Sequence, residues 1–246
     1  MKLLVIVLIL SASFMAQNPS DPAIELNRQG FAEYQKQNFE ASVELFSRAV
    51  TANPEFGLAH HNLGSALINL KRYPEAIKSL QSAVRLEPGS AAYHDQLGLA
   101  YFESGDFKTS VGSFTESIRL APNNSIALYN LGCAYMLVSE FGKAVPVLKK
   151  AKQLDPNNAE IRLNLSVALR LNKQLAEAVP EMAAALAIAP SDTQIRYLYG
   201  ILLLRTQNRE GALAQYASLK STDPVRANQL FNEIYKGKIV TVARNN

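Results

Sequence analysis

The sequence predicts an all-α protein, a solenoid of stacked helical hairpins, and three observations carry that expectation. Prolines recur at Pro54, Pro88, Pro122, Pro156, Pro190 and Pro224, each 34 residues after the last. A Leu-Gly pair keeps the same beat at Leu63-Gly64, Leu97-Gly98 and Leu131-Gly132, with a fainter return at Gly200. Between these marks each period holds two runs of apolar residues at helical spacing. A hairpin of two such helices cannot bury its apolar faces within 34 residues, so neighbours must stack and share a core.

The elements follow in chain order. Lys2 precedes an unbroken apolar run from Leu3 to Leu10, and Ser11, Ala12, Ser13 and Ala16 come next. A charged start, an apolar centre and a small-residue exit make the pattern of a secretory signal peptide. The segment is too short to span a bilayer, which needs about 20 apolar residues. Residues 1–16 are therefore expected to direct export, with cleavage after Ala16 or Ser13, and residues 17–22 to form a short linker. A buried N-terminal helix of a cytoplasmic protein is the competing reading.

Six repeats then span 23–56, 57–90, 91–124, 125–158, 159–192 and 193–226. In the second, Leu63, Gly64, Ala66 and Leu67 form one apolar face. Tyr73, Ala76, Ile77, Leu80, Ala83, Val84 and Leu86 form the next, and Pro88-Gly89 stops the chain. A glycine inside a helix costs about 0.5–1 kcal/mol relative to alanine. Its recurrence at Gly64, Gly98 and Gly132, with Ala76, Ala83, Ala144 and Ala151 opposite, marks the places where paired helices come closest. Pro146 and Pro180 fall inside second helices at equivalent positions, where proline removes a hydrogen bond, and predict a bend there. Val225, Leu230, Phe231, Ile234 and Tyr235 make a further amphipathic helix, placed at 227–236 and ended by Gly237, that caps the last repeat. The remaining 237–246 is expected to be a flexible tail, with strand addition to a partner as the alternative.

The period, the Leu-Gly pairs, Tyr101 and Tyr135 three residues after glycine, the recurrent alanines and the closing prolines resemble the tetratricopeptide repeat. Three departures stand out: Ser166 replaces glycine, Tyr199 precedes Gly200, and no leucine precedes Gly30. The resemblance implies a right-handed superhelix whose first helices line a concave groove that binds another protein.

Other function classes find little support. The net charge of +4 is spread along the chain, and no basic stripe with interleaved aromatics points to nucleic acid. A single cysteine, Cys133, forbids an intrachain disulfide. His60, His61 and His94 do not form a ligand set with metal spacing, and no phosphate-cradling loop occurs. The expectation is a non-enzymatic protein with no cofactor, no metal, no small-molecule substrate and no membrane span in its mature form.

Stacked as in the family, the residue two before each glycine points into the groove: Arg28, Asn62, Gln96, Asn130, Asn164 and Leu198. A carboxamide both donates and accepts, so this row resembles the asparagine ladders with which some family members hold an extended peptide. Around it stand Phe31, Tyr34, His61, Phe102, Tyr129, Met136 and Tyr197. Apolar residues dominate the C-terminal half, which points to an apolar or aromatic segment of a partner protein. The lysines of the family's carboxylate clamp are missing, with Asn27 or Tyr129 in the first lysine's place. The chain is expected to be an exported interaction scaffold, periplasmic or secreted, with a bacterial envelope favoured. The alternative is an assembly protein that self-associates through its ends or convex face.

Overall fold

The computed structural model describes residues 21–236. The expected signal segment, most of the linker and the C-terminal tail lie outside the described residues. Those described form thirteen helices: α1 (Pro22–Gln35), α2 (Phe39–Ala52), α3 (Gly57–Asn69), α4 (Tyr73–Leu86), α5 (Ala91–Glu103), α6 (Phe107–Leu120), α7 (Ser125–Leu137), α8 (Phe141–Leu154), α9 (Ala159–Leu171), α10 (Leu175–Ile188), α11 (Thr193–Arg205), α12 (Arg209–Thr222) and α13 (Pro224–Ile234). The architecture is an all-α solenoid of helical hairpins. Two compact units divide it, one carrying α1–α6 and the other α7–α13.

Each hairpin turns by the same device. One residue in the left-handed region follows every first helix: Gln37, Lys71, Gly105, Ser139, Lys173 and Gln207, with φ between 59° and 89°. In the first hairpin the Asn38 amide donates to the Glu33 carbonyl at 3.0 Å and the Gln37 amide to Tyr34 at 2.9 Å. These are the two bonds of a Schellman motif, which satisfies carbonyls the helix end would leave open. The same pair of bonds recurs in all six hairpins. Second helices end differently. Asn53, before Pro54, is extended at φ −141°, because proline disfavours the helical conformation in the residue that precedes it.

The recurrent glycines make room for one large side chain each. A Cβ on Gly64 would lie 2.4 Å from Leu80 Cγ, on Gly98 2.7 Å from Phe114 Cδ1, and on Gly132 2.5 Å from Leu148 Cγ. Leu80, Phe114 and Leu148 are fully buried, as are Ala76, Ala83, Ala144 and Ala151. Where Ser166 replaces glycine, its hydroxyl donates to the Ala178 carbonyl at 2.7 Å. The facing position there is the flexible Met182.

The last repeat departs from this plan. Gly200 is filled by Leu230, 2.5 Å from its virtual Cβ, so the socket is closed by α13 instead of α12. That helix starts at Pro224, three residues before the expected boundary. Proline suits a first helical turn, and the Asp223 side chain accepts the Arg226 amide there. Pro146 and Pro180 are exposed, and α8 and α10 run through them without interruption. Each lacks only the amide that would reach the carbonyl of Gly142 or Ala176, in the first turn of its helix.

Candidate protein-binding face

In the first unit the carboxamides of the expected row, Asn62 and Gln96, bond to residues of neighbouring first helices. Asn62 is 5% exposed, and its Nδ2 donates to Asn27 Oδ1 at 2.9 Å. His61 Nδ1 lies 3.3 Å from Asn62 Oδ1, and its ring stacks on Tyr93 with centroids 4.9 Å apart. Burial holds this imidazole at about 4, well below the usual histidine range. Two turns on, Asn69 donates to Tyr34 Oη at 2.8 Å, and between them Ser65 Oγ donates to Gln96 Oε1 at 3.4 Å. Asn62, His61 and Tyr34 are therefore interior residues. Phe31 and Phe102 are half-buried, Phe102 standing edge-on to Phe107. Arg28 is exposed and pairs with Glu25 at 2.6 Å.

These bonds share a register. Asn27 with Asn62 and Tyr34 with Asn69 are separated by 35 residues, and so are Tyr129 and Asn164 in the second unit, 3.1 Å apart. A residue on one first helix thus meets the residue 35 further on along the next. Half of the expected row acts as stitching between first helices.

The histidines have a second structural use. His60 and His94 place Nε2 at 2.9 and 3.0 Å from the carbonyls of Pro54 and Pro88, and since a carbonyl only accepts, the imidazole donates. Arg162 and Arg196, at the same repeat position, donate to Pro156 and Pro190. No group of three or more His, Cys, Asp or Glu able to hold a metal occurs among the described residues.

The second unit presents a different face. Tyr129, Cys133 and Met136 on α7, Leu163 and Val167 on α9, and Tyr197 and Ile201 on α11 are all half-buried. Asn130 stands half-buried beside them. Leu137 is 52% exposed and Leu171 37%. Burial pushes the Cys133 thiol up to about 11, so it is protonated and inert at neutral pH. The expected site residues Tyr129, Asn130, Asn164, Met136 and Tyr197 share this face. Leu137 and Leu171 were not singled out in the sequence, although they stand one residue beyond the 34-residue echoes of Phe102 and Met136.

The family model of the tetratricopeptide repeat matches residues 27–91, 96–159 and 138–193. The chain belongs to the tetratricopeptide repeat family. Among solved tetratricopeptide repeat structures, the chain is similar to YrrB, described as having an unusual peptide-binding site. That likeness is 23% identity over 76% of this chain and 97% of YrrB, with a TM-score of 0.67. PilF of Pseudomonas aeruginosa is 17% identical over 86% of this chain and 97% of its own, with a TM-score of 0.72. A tetratricopeptide repeat protein of Parabacteroides merdae is 17% identical over 89% and 87%, with a TM-score of 0.71. At these identities the likeness is one of fold. No curated protein matches the chain in sequence. The tetratricopeptide repeat fold is that of a protein–protein interaction scaffold, and the family is typically non-catalytic. No helix among the described residues is long and apolar enough to cross a membrane.

Proposed function

We propose that the chain is an exported scaffold that holds an apolar or aromatic segment of another protein on the first-helix face of its second unit. The observation that carries this reading is the exposure of Leu137 and Leu171 beside the half-buried Tyr129, Met136, Leu163 and Tyr197. Apolar area left in water forgoes about 25 cal/mol per Å², and contiguous patches of it mark interaction sites. The peptide-binding site described for YrrB supports the same use of the fold. Export rests on the charged start, apolar centre and small-residue exit of residues 1–16. Fractionation of cells expressing the full chain, beside a chain lacking residues 2–16, tests it; equal distribution of the two overturns it.

The face is tested with the full chain and a Leu137→Ser/Leu171→Ser variant as baits in an envelope extract. Any retained protein is then mapped to a segment that is synthesised and titrated. The variant is expected to bind that segment at least about tenfold more weakly, a loss of about 1.4 kcal/mol, with unchanged helicity. Equal binding by both overturns the reading. Self-association is the second reading. Leu154 and Ile188, exposed at 41% and 39% at the ends of α8 and α10, favour it, and concentration-dependent sedimentation would establish it.

A further inference from the structure

The apolar face of the second unit contains a charge anomaly. Arg170, in the last turn of α9, and Arg205, at the end of α11, are separated by the same 35 residues that bring Tyr34 and Asn69 to 2.8 Å. They occupy the repeat positions of that hydrogen-bonded pair. Two arginines therefore stand at neighbouring positions of adjacent first helices where the first unit has a donor and an acceptor. The repulsion is felt: partial burial and the charge of Arg205 both press Arg170 toward deprotonation.

Neither arginine takes part in an ion pair or a side-chain hydrogen bond among the described residues. By contrast, Arg162 in the same unit pairs with Glu181 at 3.0 Å, and Arg226 with Asp223. Paired like charges without a counter-ion destabilise a surface and are relieved by one anion placed between them. Around them the surface is apolar on two sides. Leu171 follows Arg170 on α9, Met136 and Leu137 stand on the neighbouring α7, and Ile201 and Leu204 stand on α11 with Arg205. A free anion would satisfy the arginines and leave that apolar surface wet.

We propose that Arg170 and Arg205 together grip the carboxylate of an Asp or Glu side chain set within an otherwise apolar segment of the partner protein. The inference rests on the binding face proposed above and names what that face selects. Apolar contacts on both sides of the arginines require the bound chain to continue past them, which a side-chain carboxylate permits and a chain terminus does not. Planar, forked guanidinium groups suit a carboxylate geometrically, and charge-assisted bonds of this kind are among the stronger ones. The surrounding apolar area supplies affinity, and the arginine pair supplies register and selectivity.

The test uses the full chain and two pools of fluorescein-labelled dodecapeptides, N-acetylated and C-amidated. Both are built from Leu, Val, Phe and Ala with terminal lysines, and they differ only in carrying Glu or Gln at the centre. The Glu pool is expected to bind about tenfold more tightly, and Arg170→Gln/Arg205→Gln is expected to abolish the difference. Removing the repulsion should leave the melting temperature of that variant unchanged or raised. Equal binding of the two pools, lost in Leu137→Ser/Leu171→Ser, overturns the carboxylate inference and leaves the apolar face standing. A Glu preference that survives in the arginine variant, or a lower melting temperature in it, also overturns the inference. Binding of neither pool overturns both readings.

Discussion

Two glycines in similar helical settings predict opposite outcomes on replacement by alanine. Gly64 faces Leu80, whose branch point would lie 2.4 Å from the new Cβ, while Gly112 on α6 has nothing within 4 Å. Overpacking a filled core costs about 1–3 kcal/mol, whereas an unobstructed Gly→Ala in a helix gains about 0.4–1 kcal/mol. Gly64→Ala should therefore lower, and Gly112→Ala raise, the midpoint of urea denaturation. His61 makes the second residue-level prediction. Its imidazole, at about 4 inside the fold against about 6.5 unfolded, stays neutral in the native protein. Stability conferred by the neutral ring is complete above pH 6.5 and is lost as pH falls toward 4, because the unfolded chain takes up the proton first. A gap of that size corresponds to about 3 kcal/mol. Melting curves from pH 7 to 4 should show the advantage of the native chain over His61→Gln narrowing as the pH falls; a constant difference would exclude the assignment.

Each hairpin turns through a residue with positive φ, and only at Gly105 is that residue glycine. The left-handed conformation costs an L-residue about 1–2 kcal/mol. Gly105→Ala should therefore destabilise the third hairpin by about 1 kcal/mol, although its side chain would meet nothing. Hydrogen exchange at the α5–α6 turn would report it, and no change would show that the turn tolerates the strain. Gln37, Lys71, Ser139, Lys173 and Gln207 carry no turn signature in the sequence. Their conformation follows from two hydrogen bonds across the helix end, which are the same in every hairpin. The bonds made by the expected carboxamide row were hidden from the sequence for a related reason. Asn62 and Asn164 bond to residues 35 positions earlier, and a pattern read at a period of 34 does not reveal an offset of one.

A repeat array has two ends, and the C-terminal one is closed by a single helix. Leu230 is fully buried against Gly200 and packs with Leu203, Leu219 and Ile234. Leu230→Ala should cost about 2–5 kcal/mol. Nearest-neighbour coupling in a solenoid should concentrate the loss in α11–α13, with exchange in α1–α6 unchanged; uniform acceleration along the chain would contradict that picture. Fold class, repeat count and hairpin content were legible in the sequence because a 34-residue period repeats one packing problem, and any solution to it repeats as well. The sequence also marked which positions are small, and Gly64, Gly98 and Gly132 proved to be sockets. Only the tertiary structure decided which polar residues are stitching and which apolar ones stay exposed. Asn62, His61 and Tyr34 are buried by the neighbouring helix, while Leu137 and Leu171 are left in water. Burial is a property of what packs against a residue, and a linear pattern fixes the residue's own helix face without fixing the neighbour that covers it.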